Sequence, residues 1–328
     1  MFVLCCVVPS LSTSKAYSLG AAGGGPFTFG DASSYGSAGV SLNRPIVGMA
    51  ATPDGRGYWL VASDAGMSPP PGYTSQQLIF DDHFSGTSLD TTEWNTFMGA
   101  QGGVWNDNGG LPSPYSGPDV PGNEAAMFGP SQVSVDDGLT LTAQRNTNEY
   151  AGTYPWISGV VTTEGKFSLP AGGWYVQVEA KMPDQSQGMW PGIWFLPGVP
   201  GTASNELDGY EGGMLGTSPA NQQGHSVYFT SQGQQEGSLW STGVDVTAGY
   251  HVYGVQFIPG QSITSYFDGR QVWQVKASNG IAITAEPYEI ILSLQVATPQ
   301  TSSWHTVAMG VTPSATMDVA EVQAYSSP

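Results

Sequence analysis

The chain has 328 residues, in which 26 acidic side chains outnumber 8 Lys and Arg and give a formal net charge of −18. Nucleic acids and anionic membranes are bound by clustered cations, so this charge excludes both as partners. The 45 glycines and 24 prolines, with short apolar runs and no convincing 3.6-residue period, predict an all-β protein. No run approaches the ~20 apolar residues that a membrane span requires.

Residues 1–25 combine an apolar start with a glycine-rich spacer. The run from Phe2 to Val8 is short for the apolar core of a signal peptide, and Ser14-Lys15-Ala16 has the small-x-small pattern of a cleavage site. The positive segment that precedes such a core is missing. Two interpretations stay open, a degraded or mis-started signal and a stray apolar N-terminus. We expect a secreted protein, and the cysteines, Cys5 and Cys6, leave the rest of the chain without disulfides.

Residues 26–66 contain short strands around the turn Pro53-Asp54-Gly55 and include the strand sequence Gly-Tyr-Trp-Leu-Val-Ala. This stretch resembles one unit of the propeller-blade-like repeats of actinobacterial surface proteins. A single repeat cannot bury its own apolar face, so we interpret it as a remnant, a tether or the last copy of an array. Residues 67–75 contain Pro-Pro-Pro-Gly and predict a stiff linker, which leaves 76–328 as the main domain.

The main domain has thirteen predicted short strands between Leu78 and Ala324, separated by turns such as Asp268-Gly269. They include Leu78–Asp82, Gly159–Phe167, Trp174–Lys181 and His251–Ile258. Short strands at this spacing predict a two-sheet antiparallel β-sandwich or jelly roll. The long loop from Gly99 to Pro121 is rich in Gly, Pro and Asn, and we expect it to border a cleft.

Three carboxylates lie within six residues of a charge-poor segment, at Glu206, Asp208 and Glu211. On a regular strand Glu206 and Asp208 share a face and Glu211 points the opposite way. A one-residue bulge at Gly209 would return Glu211 to that face. Ionising several neighbouring carboxyl groups is unfavourable because their charges repel, so at least one pKa is raised. A protonated and an ionised carboxyl on either side of a bond are the two groups that glycoside hydrolysis requires. The alternatives are a solvated acidic edge strand and a divalent-cation site.

Residues 76–328 resemble the family-16 glycoside hydrolases, the laminarinase and lichenase group. The resemblance rests on an ordered series of segments: Phe80-Asp81-Asp82-His83-Phe84-Ser85-Gly86, Leu139–Arg145, Gly188-Met189-Trp190-Pro191-Gly192-Ile193-Trp194, Glu206–Glu211, His251–Phe257 and Met317–Val322. The E-x-D-x-x-E form of Glu206–Glu211 is similar to the bulged motif of laminarinase-like members. His83 stands where a Glu is usual in this family.

The resemblance implies a jelly roll of the concanavalin A-like type with a concave cleft. It also implies that Glu206 is the nucleophile, that Glu211 is the general acid/base, and that Asp208 lies between them and tunes both. No cofactor is required, but many family members carry a structural calcium, which here would involve Asp318 and backbone oxygens near Asp82 to Gly86.

Nine of the chain's 10 tryptophans lie in the main domain, and aromatic faces bind sugars. Trp190 and Trp194 are predicted to face one side of a strand, as sugar platforms or with one of them packed in the core. Trp105 and Trp304 are further candidates, each with packing as the alternative. The remaining polar candidates are Asn123, for a glycan hydroxyl or a turn, and His225 and His251, which either orient Glu211 or the substrate or play a structural part.

These features predict a secreted, monomeric, retaining endo-β-glycanase. Its five cations beyond Tyr73 are too dispersed to bind an anionic polymer, so we expect a neutral polysaccharide, namely β-1,3- or mixed-linkage β-glucan. One alternative is a galactan hydrolase of the agarase type. The other is a non-catalytic carbohydrate-binding module, which would need the tryptophans but not the acid/base pair.

Overall fold

The computed structural model describes residues 66–99, 111–118, 122–198, 205–307 and 314–328, and four short strands before them. The chain divides into two compact units, residues 1–68 and 69–328. In the first unit, the described strands form two antiparallel pairs. They are β1 (Tyr17–Gly20) with β2 (Pro26–Phe29), and β3 (Ile46–Ala51) with β4 (Tyr58–Ala62).

The described residues of the second unit form sixteen strands and six 3₁₀ turns. The strands are β5 (Leu78–Asp82), β6 (Ala126–Phe128), β7 (Val133–Val135), β8 (Leu139–Arg145), β9 (Trp156–Ser158), β10 (Val160–Thr162), β11 (Trp174–Lys181), β12 (Met189–Pro197), β13 (Glu206–Glu211), β14 (Gln223–Phe229), β15 (Gln235–Ser241), β16 (His251–Ile258), β17 (Ser262–Phe267), β18 (Arg270–Lys276), β19 (Tyr288–Val296) and β20 (Ser314–Ser326). The 3₁₀ turns are Ser75–Gln77, Pro130–Gln132, Gln185–Gln187, Ala220–Gln222, Ala277–Asn279 and Pro299–Thr301.

These strands form two sheets, as the sequence predicts. The first has six strands in the order β10-β19-β12-β13-β14-β15. The second has ten, in the order β18-β17-β16-β11-β20-β8-β9-β6, with β5 added to β20 and β7 to β8. Neighbours are antiparallel except for β6 and β9, which are parallel. The all-β sandwich prediction is confirmed.

The main core lies between the two sheets and is built from alternate apolar residues of both. At its centre Trp174 of β11 is fully buried, stacks on Phe257 of β16 with ring centroids 5.3 Å apart, and contacts Phe195 of β12 at 4.8 Å. A separate aromatic cluster contains Tyr175 and Tyr325, on which Tyr73 from the predicted linker packs. The core therefore holds the strands of the six-stranded sheet in place through their inward-facing side chains. The side chains on the outer face of that sheet are not needed for this packing.

The strand predictions differ from the structure in three places. The prediction of a single strand at Gly159–Phe167 is wrong. Strands β9 and β10 flank Gly159, and the chain then turns, with the Phe167 N–H donating to the Thr163 carbonyl. Strand β15 was not predicted because all its side chains except Trp240 are exposed, which removes the apolar alternation. Strand β6 was not predicted because it has three residues and no alternation.

Candidate active site

Three carboxylates of β13, those of Glu206, Asp208 and Glu211, line one cleft on the outer face of the six-stranded sheet. The intervening Leu207 and Tyr210 are fully buried in the core between the sheets. Tyr210 and Glu211 are consecutive and lie on opposite sides, whereas Asp208 and Glu211 lie on the same side three residues apart. An extra residue must therefore stand between them.

That extra residue is at Gly209. The pairing of β13 with β12 passes from Asp208 directly to Tyr210 and skips Gly209. On the other side, the register between β13 and β14 shifts between Asp208 and Glu211. The hydroxyl of Ser226 on β14 donates to the Gly209 carbonyl at 2.7 Å and so satisfies a backbone group that the irregular ladder leaves out. The bulge lies where the sequence predicts it.

The reason for glycine at this position is a close approach of the two sheets. A Cβ added to Gly209 would overlap Cγ2 of Val255, a core residue of β16 in the ten-stranded sheet. It would also lie 3.3 Å from the carbonyl oxygen of Ile193. The bulge turns two consecutive residues, Gly209 and Tyr210, toward the core, and there is room for only one side chain.

Both carboxylate oxygens of Glu211 are held by side chains of neighbouring strands. The indole Nε1–H of Trp190 on β12 donates to Oε1 at 3.1 Å. Nδ1 of His225 on β14 lies 2.7 Å from Oε2. The side chains of His225 and Glu211 are 20% and 14% exposed, so this pair is mostly shielded from water while it borders the cleft. The carboxyl group therefore cannot rotate freely.

The aromatic candidates divide into an accessible pair and a packed residue. Trp190 lines the cleft, and Trp304, which is 38% exposed, meets it edge to face with ring centroids 5.2 Å apart. Trp194 also borders the cleft but is only 7% exposed, and its Nε1–H donates to Ser293 Oγ at 3.1 Å. Most of the Trp194 ring is buried in a small apolar cluster with Met98, Phe128, Val160, Leu196 and Ile291.

The other predicted residues have separate positions. Asn123 is half-buried, and its carbonyl accepts a hydrogen bond from Thr298 N–H at 3.0 Å. His251 belongs to the ten-stranded sheet and lies 2.8 Å from Asp268 Oδ2, so it does not contact Glu211. Trp105 lies outside the described residues.

Sequence reasoning missed several residues that line the cleft. Glu124 follows Asn123, and Ser293 and Gln295 are two positions apart in the second half of β19, where their neighbours Leu292, Leu294 and Val296 are apolar. Ser293 and Gln295 could have been found from the alternation of side chains along β19, because polar residues two positions apart in a buried strand mark the face that is turned away from the core. Glu124 also borders an adjoining hollow of about 510 Å³, whose wall includes Tyr154. That volume lies within the range of ligand pockets, about 300–1,000 Å³.

A cluster of metal-ligand residues lies on the ten-stranded sheet. Asp81, His83 and Glu321 each bring one ligand atom within 4.8 Å of the others. The two ring nitrogens of His83 face different carboxylates, however, with Nε2 3.5 Å from Asp81 Oδ1 and Nδ1 3.7 Å from Glu321 Oε1. The ring therefore bridges two acids instead of offering one nitrogen to a shared ion.

The predicted calcium position, Asp318, accepts a hydrogen bond from Thr140 Oγ1 at 3.0 Å. The carbonyls of Phe84 and Gly86, from the segment that was expected to supply backbone ligands, accept hydrogen bonds from Gly138 and Asp137 N–H. These oxygens already have donors, so the contacts do not favour a cation there, and calcium binding stays a prediction.

A cleft with a pair of carboxyl residues, one of them held at both oxygens, has the equipment of a glycoside hydrolase. The model of the family "Glycosyl hydrolases family 16" matches residues 122–312, which include Glu206, Asp208 and Glu211. The chain belongs to glycoside hydrolase family 16. In the described residues, no helix has the length and apolar character that crossing a membrane requires.

Two curated relatives are similar to parts of this chain. The "Glucan endo-1,3-beta-glucosidase A1" of Niallia circulans is 29% identical in an alignment of 268 residues that covers 70% of this chain and 35% of the relative. The "Endo-1,3-1,4-beta-glycanase ExsH" of Rhizobium meliloti (strain 1021) is 34% identical in an alignment of 143 residues that covers 41% of this chain and 28% of the relative. The chain thus matches about a third of the length of these relatives.

Solved structures share the fold. The catalytic domain of an endo-1,3-beta-glucanase (laminarinase) from Thermotoga petrophila RKU-1 superimposes with a TM-score of 0.58 at 21% identity, over 76% of this chain and 97% of that one. The endo-beta-1,3-glucanase from Pyrococcus furiosus gives 0.57 at 24% identity, over 76% and 94%.

Proposed function

We propose that the main domain hydrolyses β-glucan at internal bonds with retention of configuration. The observation that carries this proposal is the grouping of Glu206, Asp208 and Glu211 in one cleft, with Glu211 hydrogen-bonded at both oxygens. Family membership supports the reaction class. The names of the two curated relatives, which describe 1,3- and 1,3-1,4-β-glucan as substrates, support the β-1,3- or mixed-linkage choice.

The proposed reaction has two displacements. Glu211 donates its proton to the glycosidic oxygen while the Glu206 carboxylate attacks the anomeric carbon, so that the C–O bond breaks and a glycosyl ester forms. The leaving sugar departs as an alcohol. Glu211, now ionised, then takes a proton from water, whose oxygen attacks the same carbon and releases Glu206. Asp208 lies between the two glutamates on the same face and adds negative charge beside the oxocarbenium-like transition state.

The partners of Glu211 suit a group that acts first as acid and then as base. The Trp190 indole can only donate, so Oε1 keeps a permanent donor. His225 is able to donate to an ionised Glu211 or to accept from a protonated one, depending on its tautomer. One pair of contacts therefore serves both protonation states, and the carboxyl need not reorient between the steps.

The surroundings of the acids support a long, neutral chain as substrate. Trp190 and Trp304 offer aromatic surface beside Glu211, and the hollow that begins at Glu124 continues the cleft. A sugar chain that extends past both sides of the acids is cut internally, which is the basis for proposing endo action. We further propose that the protein acts outside the cell, since a glucan polymer does not cross membranes, and that it acts as a monomer.

Reducing-sugar release from laminarin, lichenan and agarose, measured with one preparation, tests this function. We expect release from laminarin or lichenan, with products of several sizes at early times. Release from agarose alone would establish a galactan hydrolase instead. Binding to a glucan without release from any of the three would establish a carbohydrate-binding module and overturn the proposal.

A further inference from the structure

His305 is a buried histidine beside the cleft that the mechanism above does not use. It is 1% exposed and lies just after the 3₁₀ turn Pro299–Thr301, whose last carbonyl accepts its backbone N–H at 2.8 Å. Its ring nitrogens face two backbone oxygens, with Nδ1 2.7 Å from the Thr306 carbonyl and Nε2 2.9 Å from that of Gly212. Gly212 is the residue directly after Glu211.

Both oxygens that His305 faces are acceptors. A neutral imidazole has one N–H, so it donates to one carbonyl and turns a lone pair toward the other. A protonated ring donates to both. Burial lowers the pKa of His305, while the two carbonyls and the negative Glu211 act in the opposite direction. Protonation of this ring is therefore coupled to the position of the Gly212 carbonyl.

The segment after Glu211 is fastened to the His305 segment at several points. Thr306 N–H donates to the Gly213 carbonyl at 2.8 Å, and Met214 forms a bridge with His305. Gly213, at φ +81°, has no space for a side chain, since a Cβ there would overlap the His305 ring. The backbone of the residues that follow Glu211 thus packs closely against the His305 imidazole.

His305 also reaches Glu211 through a side chain. Its ring packs against that of Trp190 with centroids 4.7 Å apart and planes 37° from parallel. Trp190 is the residue that donates its indole N–H to Glu211 Oε1. One imidazole therefore touches both supports of the acid/base, namely the backbone that follows it and the indole that binds it.

We propose that His305 is a positioning residue for Glu211: it fixes the Gly212 carbonyl and the Trp190 ring, and so sets the orientation of the acid/base carboxyl. This proposal rests on the proposed function, because it assumes that Glu211 is the acid/base. His305 does not act on the substrate itself, since it is buried and both of its nitrogens are engaged with carbonyls.

The charged and titratable groups around Glu211 must be considered in any pH test. They are Glu206 and Asp208 of the same strand, His225 of β14 at 2.7 Å, and Glu124, which lines the same cleft. His305 differs from these because Trp190 stands between it and the carboxyl. Its effect on Glu211 is thus transmitted by hydrogen bonding and packing.

The test compares His305→Ala and His305→Gln with the matched control His251→Ala, whose ring is paired with Asp268 in the other sheet. On the glucan that the wild type cleaves, we expect kcat to fall by up to about 10²-fold in His305→Ala with KM changed less than threefold. Because the hydrogen bond from the Trp190 indole favours the ionised form of Glu211 and is loosened when the His305 ring is removed, the pKa of Glu211 rises and the alkaline limb of the kcat/KM profile moves to higher pH. His305→Gln, which keeps one donor toward Gly212, gives an intermediate loss.

A second readout is made on the wild type and does not depend on activity. The Trp190 indole ¹H–¹⁵N resonance of the wild type, assigned with Trp190→Phe, is followed against pH together with the His305 ring nitrogens. We expect a step in the indole shift at the His305 midpoint. The proposal is overturned if the indole shift does not change at the His305 midpoint. It is also overturned if His305→Ala has the same pH profile as the wild type and His251→Ala. If no glucan is cleaved, the proposed function fails while this titration still tests the link to Trp190.

Discussion

His225 and Glu211 are directly opposite each other across β14 and β13, with Nδ1 and Oε2 2.7 Å apart. On the far side of the same carboxyl, Trp190 donates from β12. The carboxyl of the proposed acid/base is thus held by one side chain from each neighbouring strand, so its orientation depends on the alignment of β12, β13 and β14.

Replacing His225 with Ala should lower kcat by about 10- to 100-fold, because one oxygen of Glu211 loses its partner and the carboxyl gains rotational freedom. Steady-state kinetics on the cleaved glucan measure this change. His251→Ala serves as the control, since it removes a histidine that contacts Asp268 and not Glu211. Equal kcat values for His225→Ala and the wild type would show that His225 does not orient the Glu211 carboxyl.

Glu206→Gln should abolish turnover by several orders of magnitude while glucan binding stays close to that of the wild type. The amide keeps the size and most hydrogen bonds of the carboxylate but is not a nucleophile. Activity assays and isothermal titration with a glucan oligosaccharide separate the two effects. Turnover that survives this change would mean that another group attacks the anomeric carbon.

Gly209→Ala should destabilise the fold by about 1–3 kcal/mol and lower activity, because its methyl group would overlap Val255 across the core. The double variant Gly209→Ala/Val255→Ala should recover part of both losses, since the smaller residue opens the space. Denaturant unfolding and kcat are measured for the two single variants and the double variant. Strict additivity of the two single effects would show that the contact with Val255 is not what requires glycine.

Trp304→Ala should raise KM about three- to tenfold with a smaller effect on kcat, which corresponds to roughly 1 kcal/mol of aromatic contact with a sugar. Trp304 is 38% exposed beside the cleft, whereas Tyr250, which is 41% exposed, precedes β16 of the opposite sheet. Tyr250→Ala is therefore the matched control, and its KM should stay unchanged. A rise in KM for both variants would point to general loosening.

Glu289 predicts a pH dependence of stability. It is 3% exposed, and burial raises its pKa to about 7, opposed by the Gly165 N–H and assisted by Glu164. Because the folded-state pKa lies above the ordinary glutamate pKa of 4.5, the folded protein retains a proton that the unfolded chain releases. The stability of the wild type therefore falls, through this group, as pH rises from about 4.5 to 7.

Glu289→Gln removes this titration and preserves the size of the side chain. We expect the variant and the wild type to have similar unfolding free energies at pH 4.5, and the variant to be more stable at pH 8 by at most about 3 kcal/mol. The exposed Glu236 provides the control Glu236→Gln, whose difference from the wild type should not change with pH in this way. A constant difference for Glu289→Gln would show that folding does not change the pKa of this carboxyl.

Part of this site could be predicted from the sequence because it depends on local geometry. The alternation of side chains and a bulge at Gly209 are enough to bring Glu206, Asp208 and Glu211 to one face. Strands such as β11 and β16 were predicted with the bounds that the structure has, since each carries a period-two apolar pattern between turn residues.

Other parts depend on contacts between distant segments, which periodicity does not report. The role of Trp194 could not be read from its strand, because the buried cluster that covers it includes Met98 and Phe128 from elsewhere in the chain. His305 was overlooked for the same reason: its partners, Gly212 and Trp190, are about a hundred residues away in sequence. The demand for glycine at 209 comes from Val255 in the opposite sheet.

Since β13 carries both proposed catalytic glutamates, their separation is set inside one continuous piece of backbone. A movement of one sheet relative to the other would displace the two glutamates together and leave the distance between them unchanged. Val255 is a place where the opposite sheet nevertheless reaches this strand, at the bulge. Changes of core composition elsewhere in the sandwich can accordingly accumulate without altering the chemistry, whereas a change at this contact acts on it directly.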